Sequence, residues 1–314
     1  MDHTVLVFKA ALPVYLIIVL GSLLRKTKTL TPEMDKGVMT IAVHLFLPCL
    51  ILDKMLGVEV LRDAGVVFSS ASIGFSMIVL AMGLAYLVAK ILGFEKGSGL
   101  RTFSASCGVQ NYDFLAIPLT VSVFPKHDST LAVLFTHNLG IELALWTVGI
   151  MLISGNKTPS WRSFVKGPII AVVVGLLLLQ TRTDHFIPEV VGSVFSMLGS
   201  CAVPVSLLLV GTTLYDLAKD IRLNWKVSIG SVIVRLAMVP MVILCLAKFL
   251  PLATELRQVL VIQAAVPAGV FPIVLSRYYG GRADVAIQVV VATTLVSLVT
   301  MPLIVSFGIA WIGL

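Results

Sequence analysis

Long apolar runs separated by short polar links follow one another along the whole chain, and this pattern restricts the fold more than any other feature. A helix that crosses the roughly 30 Å hydrocarbon layer of a bilayer needs about 20 mainly apolar residues. Apolar residues make up 58% of the 314 residues and charged residues only 12%, against about 25% charged in an average soluble domain. The mean hydropathy is +1.03. The sequence therefore predicts an all-α protein that crosses a membrane many times.

Ten of these runs are long enough, or nearly so, to be predicted as transmembrane helices. They cover about 5–24, 36–56, 66–92, 99–124, 129–153, 167–181, 189–214, 226–249, 256–277 and 283–312. The sixth run is the shortest, and the longest polar link, 154–166, is too short for a soluble domain. Lys and Arg are more frequent in the first, third, fifth, seventh and ninth links than in the others. By the positive-inside rule this predicts a multi-pass protein of the plasma (inner) membrane with both termini outside the cytoplasm.

The same survey excludes several classes of function. The net charge of +7 comes from short links and not from a basic cluster interleaved with aromatic residues, so we expect no nucleic-acid partner. The sequence lacks a phosphate-binding Gly-Lys-Ser/Thr loop, a His-Glu-x-x-His helix and a nucleophile elbow. We therefore expect neither an enzyme nor an ATP-driven pump, and no cofactor apart from Na⁺ or H⁺ as a coupling ion.

The two halves of the chain repeat the same order of features. When the second half is aligned on the first at an offset of 156 residues, Pro48 falls on Pro204, Leu100-Arg101 on Leu256-Arg257, and Asp128 on Asp284. Each half holds five predicted spans, an odd number, so the second half enters the membrane from the opposite side. The sequence thus predicts two inverted five-helix repeats, residues 1–156 and 157–314, an architecture common among secondary transporters.

The fourth and ninth spans contain residues that interrupt a helix at matching positions. They read GVQNYDFLAIPL (108–119) and QAAVPAGVFPIVL (263–275). Opened backbone at membrane depth survives only where it is buried in protein or faces a watery cavity. We therefore predict that helices 4 and 9 are broken and cross each other at the substrate site, the alternative being simple proline kinks. The predicted site residues are Gln110, Asn111, Tyr112, Asp113, Pro118, Gln263, Pro267, Gly269 and Pro272.

Ionisable residues inside spans are costly and usually functional. Asp113 lies within the fourth-span break, so it is a candidate to carry a proton or to bind Na⁺ together with Gln263; the alternative is a structural pair. Asn138 and Glu142 are four residues apart and share a helix face. Glu142 is a candidate cation ligand or proton acceptor, or else the partner of Arg235. Arg235 is a candidate counter-charge for an anionic substrate, or an ion-pair partner of Asp113 or Glu142.

Three motifs of the chain resemble motifs of the auxin efflux carrier family. The first is Asn-x-x-Phe-Leu-x-Ile-Pro-Leu at 111–119, and the second is Pro-Ala-Gly-Val-Phe-Pro-Ile-Val-Leu at 267–275. The third is Leu-Pro-Val-Tyr-Leu at 12–16. The resemblance implies a fold like that of the bile-acid sodium symporters, in which a transport domain moves against a scaffold domain as an elevator. The implied scaffold covers about 5–56 and 167–214, and the implied transport domain about 66–153 and 226–312.

The resemblance also implies a ligand and an assembly. It implies a small organic anion as substrate, either a mono- or dicarboxylate of the malonate or malate kind or an auxin-like acid, and a homodimer within the lipid bilayer. One residue departs from the family pattern, since members commonly have a small residue at the position of Asp113. A carboxylate there weakens an anion site unless it is protonated or paired. A carrier of a cationic or neutral solute, a ligand-sensing receptor on a transporter fold and a channel therefore stay open as alternatives.

Overall fold

The structure, a computed structural model, describes residues 3–95, 97–125, 128–155, 166–219 and 224–314, with side chains from residue 7 onward. Within these ranges it is helical, and its only β-type pairing is an isolated bridge. The helices of the first half are α1 (His3–Lys26), α2 (Pro32–Ile41), α3 (Leu47–Met55), α4 (Ala64–Ile91), α5 (Leu100–Gly108), α6 (Ala116–Val123), α7 (Asp128–Ala144) and α8 (Ile150–Ser154). Those of the second half are α9 (Gly167–Gln180), α10 (Glu189–Gly199), α11 (Ala202–Lys219), α12 (Trp225–Ile233), α13 (Val239–Phe249), α14 (Thr254–Ala265), α15 (Phe271–Tyr279) and α16 (Ala283–Ile312).

Seven helical spans of the described chain are long and apolar enough to cross a membrane. They are Val7–Lys26, Pro32–Met55, Ala64–Ile91, Asp128–Ser154, Glu189–Lys219, Trp225–Phe249 and Ala283–Ile312. Helix α9 is apolar but has only 14 residues. The predicted all-helical, multi-pass membrane protein is therefore confirmed. Ten spans in inverted repeats stay a prediction, because the fourth and ninth predicted spans are each divided into two short helices.

In each divided span one proline lies in the first turn of the second helix, which corrects one detail predicted from the sequence. We expected Pro118 to interrupt the fourth helix. Instead the break covers 109–115, and Pro118 is the third residue of α6. Pro272 is likewise the second residue of α15. A first-turn residue has no helical acceptor for its N–H, so proline is tolerated there and the chain breaks before it.

Three spans contain a single wide turn of π-helix. These turns are Ala42–Phe46, Leu145–Gly149 and Val234–Met238, and the first and last each precede a proline, Pro48 and Pro240. Proline removes one backbone donor, so the preceding turn can widen at low cost. Such turns are frequently found at functional sites, and the third one carries Arg235.

Small residues set the closest helix contacts. Helix α1 packs along α11, where a Cβ added at Gly211 would overlap the backbone of α1 at Ile18 and Gly21. Helix α4 packs along α7, where a Cβ at Gly140 would overlap the backbone at Ala71. Close packing of this kind is a principal driving force between helices in lipid, where apolar side chains gain little by leaving the hydrocarbon. Helix α3 packs against α9 and α10, and α14 lies between α13, α16 and α7.

Candidate functional site

The two breaks meet and pair through their backbones. Asn111 N–H donates to the Pro267 carbonyl at 2.8 Å, and Gly269 N–H donates to the Val109 carbonyl at 2.9 Å, so Gln110 and Ala268 lie opposite each other in a short antiparallel bridge. All of these residues are buried or nearly so. The backbone groups that the breaks release from helical pairing therefore satisfy each other, which is the condition for irregular backbone within a membrane.

A chain of side-chain amides continues from this bridge. Gln110 Nε2 donates to Gln263 Oε1 at 3.2 Å, and Gln263 Nε2 donates to Asn138 Oδ1 at 2.9 Å. Asn138 Nδ2 then donates to the Tyr112 carbonyl at 3.1 Å and to Asp113 Oδ1 at 3.2 Å. Asn138 thus joins both broken helices to α7. A buried network that is fully hydrogen-bonded fixes one geometry, whereas a partly satisfied one is costly.

Glu142 forms a second polar centre one helical turn further along α7. It accepts a hydrogen bond from the Tyr112 hydroxyl at 2.7 Å and another from Trp146 Nε1. Lys166 Nζ lies 3.1 Å from Glu142 Oε2 and 4.0 Å from the centre of the Trp146 ring. Glu142 is therefore paired with a cation and held by two neutral donors. Asp113 contacts Asn138 and forms no ion pair within the described chain.

Both carboxylates line a small cavity. Asp113, Asn138 and Glu142 form its polar side, and apolar residues of α3, α6, α7 and α9 form the rest. Its volume is about 30 Å³, more than the roughly 10–15 Å³ that a cavity needs in order to hold one water molecule. The structure therefore brings both carboxylates to one cavity between the broken helices and the helices α3 and α9.

Arg235 was predicted either to face an anionic substrate or to pair with Asp113 or Glu142, and within the described chain the ion pair does not form. Its Nη2 donates to the Gln263 carbonyl at 2.7 Å and its Nε to the Val266 carbonyl at 3.1 Å. These carbonyls lie at the carboxyl end of α14, where no further turn of helix supplies donors. The guanidinium is completely buried. The correction has a physical reason: in a dry interior, backbone carbonyls at a helix end attract a cation in much the same way as a carboxylate.

The predicted residues thus divide into three groups. Gln110, Asn111, Tyr112, Asp113, Asn138, Glu142, Gln263, Pro267 and Gly269 lie in one continuous hydrogen-bonded or bridged cluster. Pro118 and Pro272 lie in the first turns of α6 and α15, the helices that follow the two breaks. Arg235 contacts the same cluster by donating to the main-chain oxygens of Gln263 and Val266.

Sequence reasoning missed Lys166 and Trp146. Lys166 directly precedes a short apolar helix, where a basic residue is ordinarily read as a topology signal. Trp146 is four residues after Glu142, a spacing that allows contact along a helix but does not require it. Nothing in the local sequence distinguishes Lys166 from other basic residues next to spans, or Trp146 from other aromatic residues within them.

A sodium site near Asp113 and Gln263 stays a prediction. The side-chain oxygen of Gln263 accepts from Gln110 and its carbonyl accepts from Arg235, so both oxygens already have donors. Across the described part of the chain, no group of three or more His, Cys, Asp or Glu side chains is arranged to hold a metal ion. Asp113, by contrast, faces the cavity, and among the described residues Asn138 donates to it.

Several membrane-crossing helices and two breaks that pair at a buried polar centre define a class of protein, the membrane transporters. The family follows from comparison with known families: the model described as membrane transport protein matches twice, over residues 6–160 and 151–305. The chain belongs to this family, that of the auxin efflux carriers, as its motifs predicted. No curated protein sequence matches the chain. Members of the family are transporters and not enzymes.

Proposed function

We propose that this protein is a secondary carrier for a small organic anion, a mono- or dicarboxylate, and that it works by an elevator movement. The observation that carries the proposal is the paired crossing of the two breaks, whose polar side chains face a cavity against α3 and α9. A site at a helix crossing, covered on one side by different helices, becomes accessible when the two sets of helices slide past each other.

In this proposal a transport domain moves against a scaffold domain, and each domain consists of the helices that the sequence analysis assigned to it. Helices α1, α3, α9, α10 and α11 fall within the proposed scaffold, and contacts between α1 and α11 and from α3 to α9 and α10 support this assignment. The remaining long helices, which surround the crossing, form the proposed transport domain. The inverted repeat and a homodimer joined through the scaffold are part of the same proposal.

Two features support an anionic substrate. Helices α6 and α15 both begin beside the crossing, so their positive ends face it. Two cations adjoin the polar cluster: Lys166 pairs with Glu142, and Arg235 donates to the Gln263 carbonyl, so that the formal charges of these two cations, Glu142 and Asp113 sum to zero. Binding of a monoanion then adds one negative charge, and a proton on Asp113 would restore the balance.

A specific observation favours a second candidate. Asp113 contacts the cavity and has no cationic partner among the described residues, which suits a carrier of a cationic or neutral solute. The ligand-sensing receptor is the weaker alternative, because the family consists of transporters.

The decisive experiment is a transient-current measurement on purified protein in liposomes adsorbed to a solid-supported membrane. A panel of small carboxylates and a matched panel of small amines are applied, each with and without sodium. Our proposal expects a saturable current for at least one carboxylate, reduced at least tenfold in Asp113→Asn. Saturable currents for amines alone would contradict it and favour the second candidate.

The matched control is Asp63→Asn. Asp63 is exposed and accepts from Gly65 N–H at 2.7 Å at the start of α4. Asn caps helices about as well as Asp, so this variant removes one carboxylate from the protein surface and preserves the fold. We expect its current to equal that of the wild type.

A further inference from the structure

The carboxyl end of α14 is one of the two places in this architecture where a coupling cation is expected. In secondary transporters with broken helices, carbonyls at half-helix carboxyl ends and in the unwound backbone coordinate Na⁺, because both carry partial negative charge. Here the α14 end presents its carbonyls inside the protein, with Gln263 and Val266 both buried. These carbonyls require a cation or a set of donors.

The side chain of Arg235 supplies both a cation and hydrogen-bond donors to these carbonyls. The guanidinium of Arg235 donates to the carbonyls of Gln263 and Val266, and the next carbonyl, that of Pro267, accepts from Asn111 N–H. Two carbonyls at the end of α14, those of Gln263 and Val266, therefore already receive donors from a side chain that is itself a cation.

Within the described structure the charge of Arg235 is stabilised by no carboxylate. It is the largest fully buried side chain, and it forms no ion pair with any described carboxylate. An unpaired cation at membrane depth is expensive, so the helix-end carbonyls are what stabilise it. The π-turn Val234–Met238 places it there, since a widened turn rotates the following residues relative to a regular helix.

We propose that Arg235 is a built-in cation that fills the sodium position at the carboxyl end of α14, so that this carrier operates without sodium. The inference deepens the proposed function, since it concerns the coupling ion of the same site. The formal charges at the crossing support it, because two carboxylates, Asp113 and Glu142, and two cations, Lys166 and Arg235, sum to zero.

The test is a thermal-unfolding measurement that needs no knowledge of the substrate. Purified wild type and variants are heated in sodium chloride and in choline chloride at equal ionic strength. We expect the wild type to unfold at the same temperature in both salts. Arg235→Ala should unfold several degrees lower in choline and recover part of that loss in sodium, with a saturable dependence on sodium concentration, because a ligand that binds only the folded state stabilises it.

Two variants separate charge from packing. Arg235→Lys keeps the cation and should show no sodium response, although it makes fewer hydrogen bonds. Lys248→Ala is the matched control, because Lys248 lies on the same span and donates to the Trp311 carbonyl at 2.6 Å, near the end of α16, but is exposed to solvent. Its loss should create no sodium response.

The inference has clear contrary results. A saturable sodium stabilisation of the wild type would overturn it, and so would a folded Arg235→Ala with identical unfolding temperatures in the two salts. If Arg235→Ala does not fold, Arg235→Gln, which retains an amide donor, is measured in the same way. Because unfolding temperatures do not depend on transport, failure here is distinct from failure of the carboxylate-current experiment.

Discussion

Substituting alanine for Gly269 tests whether the two breaks pack against each other as closely as the structure shows. A Cβ placed on Gly269 would lie 2.6 Å from the Gln110 carbonyl oxygen and 3.1 Å from its carbon. Both atoms belong to the backbone, so no side chain can rotate out of the way. The breaks must separate by several tenths of an ångström, which weakens the hydrogen bonds from Gly269 N–H to Val109 and from Asn111 N–H to Pro267.

The size of the effect can be estimated from these contacts. Overpacking of a closely packed interior costs about 1–3 kcal/mol. Each interhelical hydrogen bond in a membrane protein contributes about 0.6 kcal/mol on average, so weakening two of them adds roughly 1 kcal/mol. The free energy of unfolding should fall by about 2–4 kcal/mol. At about 2 °C per kcal/mol for a large domain, the unfolding temperature should fall by about 4–8 °C.

The assay follows unfolding in detergent with a thiol-reactive dye, since the chain has four free cysteines and Cys107, on α5 beside the crossing, is fully buried. The matched control is Gly83→Ala, because Gly83 lies in α4 with no atom within 4 Å of an added Cβ. We expect Gly269→Ala to lose at least tenfold in transport rate. An unfolding temperature and rate equal to those of Gly83→Ala would refute the tight crossing.

Two further predictions concern the polar cluster. A double-mutant cycle of Glu142→Gln and Lys166→Gln should give a coupling energy of about 1 kcal/mol from the 3.1 Å ion pair, which the side chains shield partly from solvent; a coupling indistinguishable from zero would mean that the pair is not formed in the membrane. A second cycle of Asn138→Ala and Gln263→Ala should give about 0.6–1.7 kcal/mol from the buried 2.9 Å hydrogen bond between them. Additive effects in that cycle would indicate that the amide chain is broken in the protein's resting state.

The sequence by itself determined that the chain is a helical, multi-pass membrane protein of the auxin efflux carrier family. It also located the two breaks, at 108–119 and 263–275. These conclusions depend on local properties: the length of an apolar run decides whether it can span the bilayer, and proline and glycine interrupt a helix wherever they occur. The grouping of Asn138 with Glu142 is local in the same sense, because four residues make one turn.

Only the tertiary structure decided which groups meet across the crossing. Sequence reasoning left Arg235 as either a counter-charge for an anionic substrate or an ion-pair partner of Asp113 or Glu142. The structure places Arg235 on the carbonyls at the end of α14 and pairs Glu142 with Lys166. In a dry interior a cation is stabilised by a carboxylate or by the carbonyl end of a helix, and the sequence does not say which of these lies within reach. That choice is made by the packing of helices distant in the chain, which fixes positions to within a hydrogen-bond length.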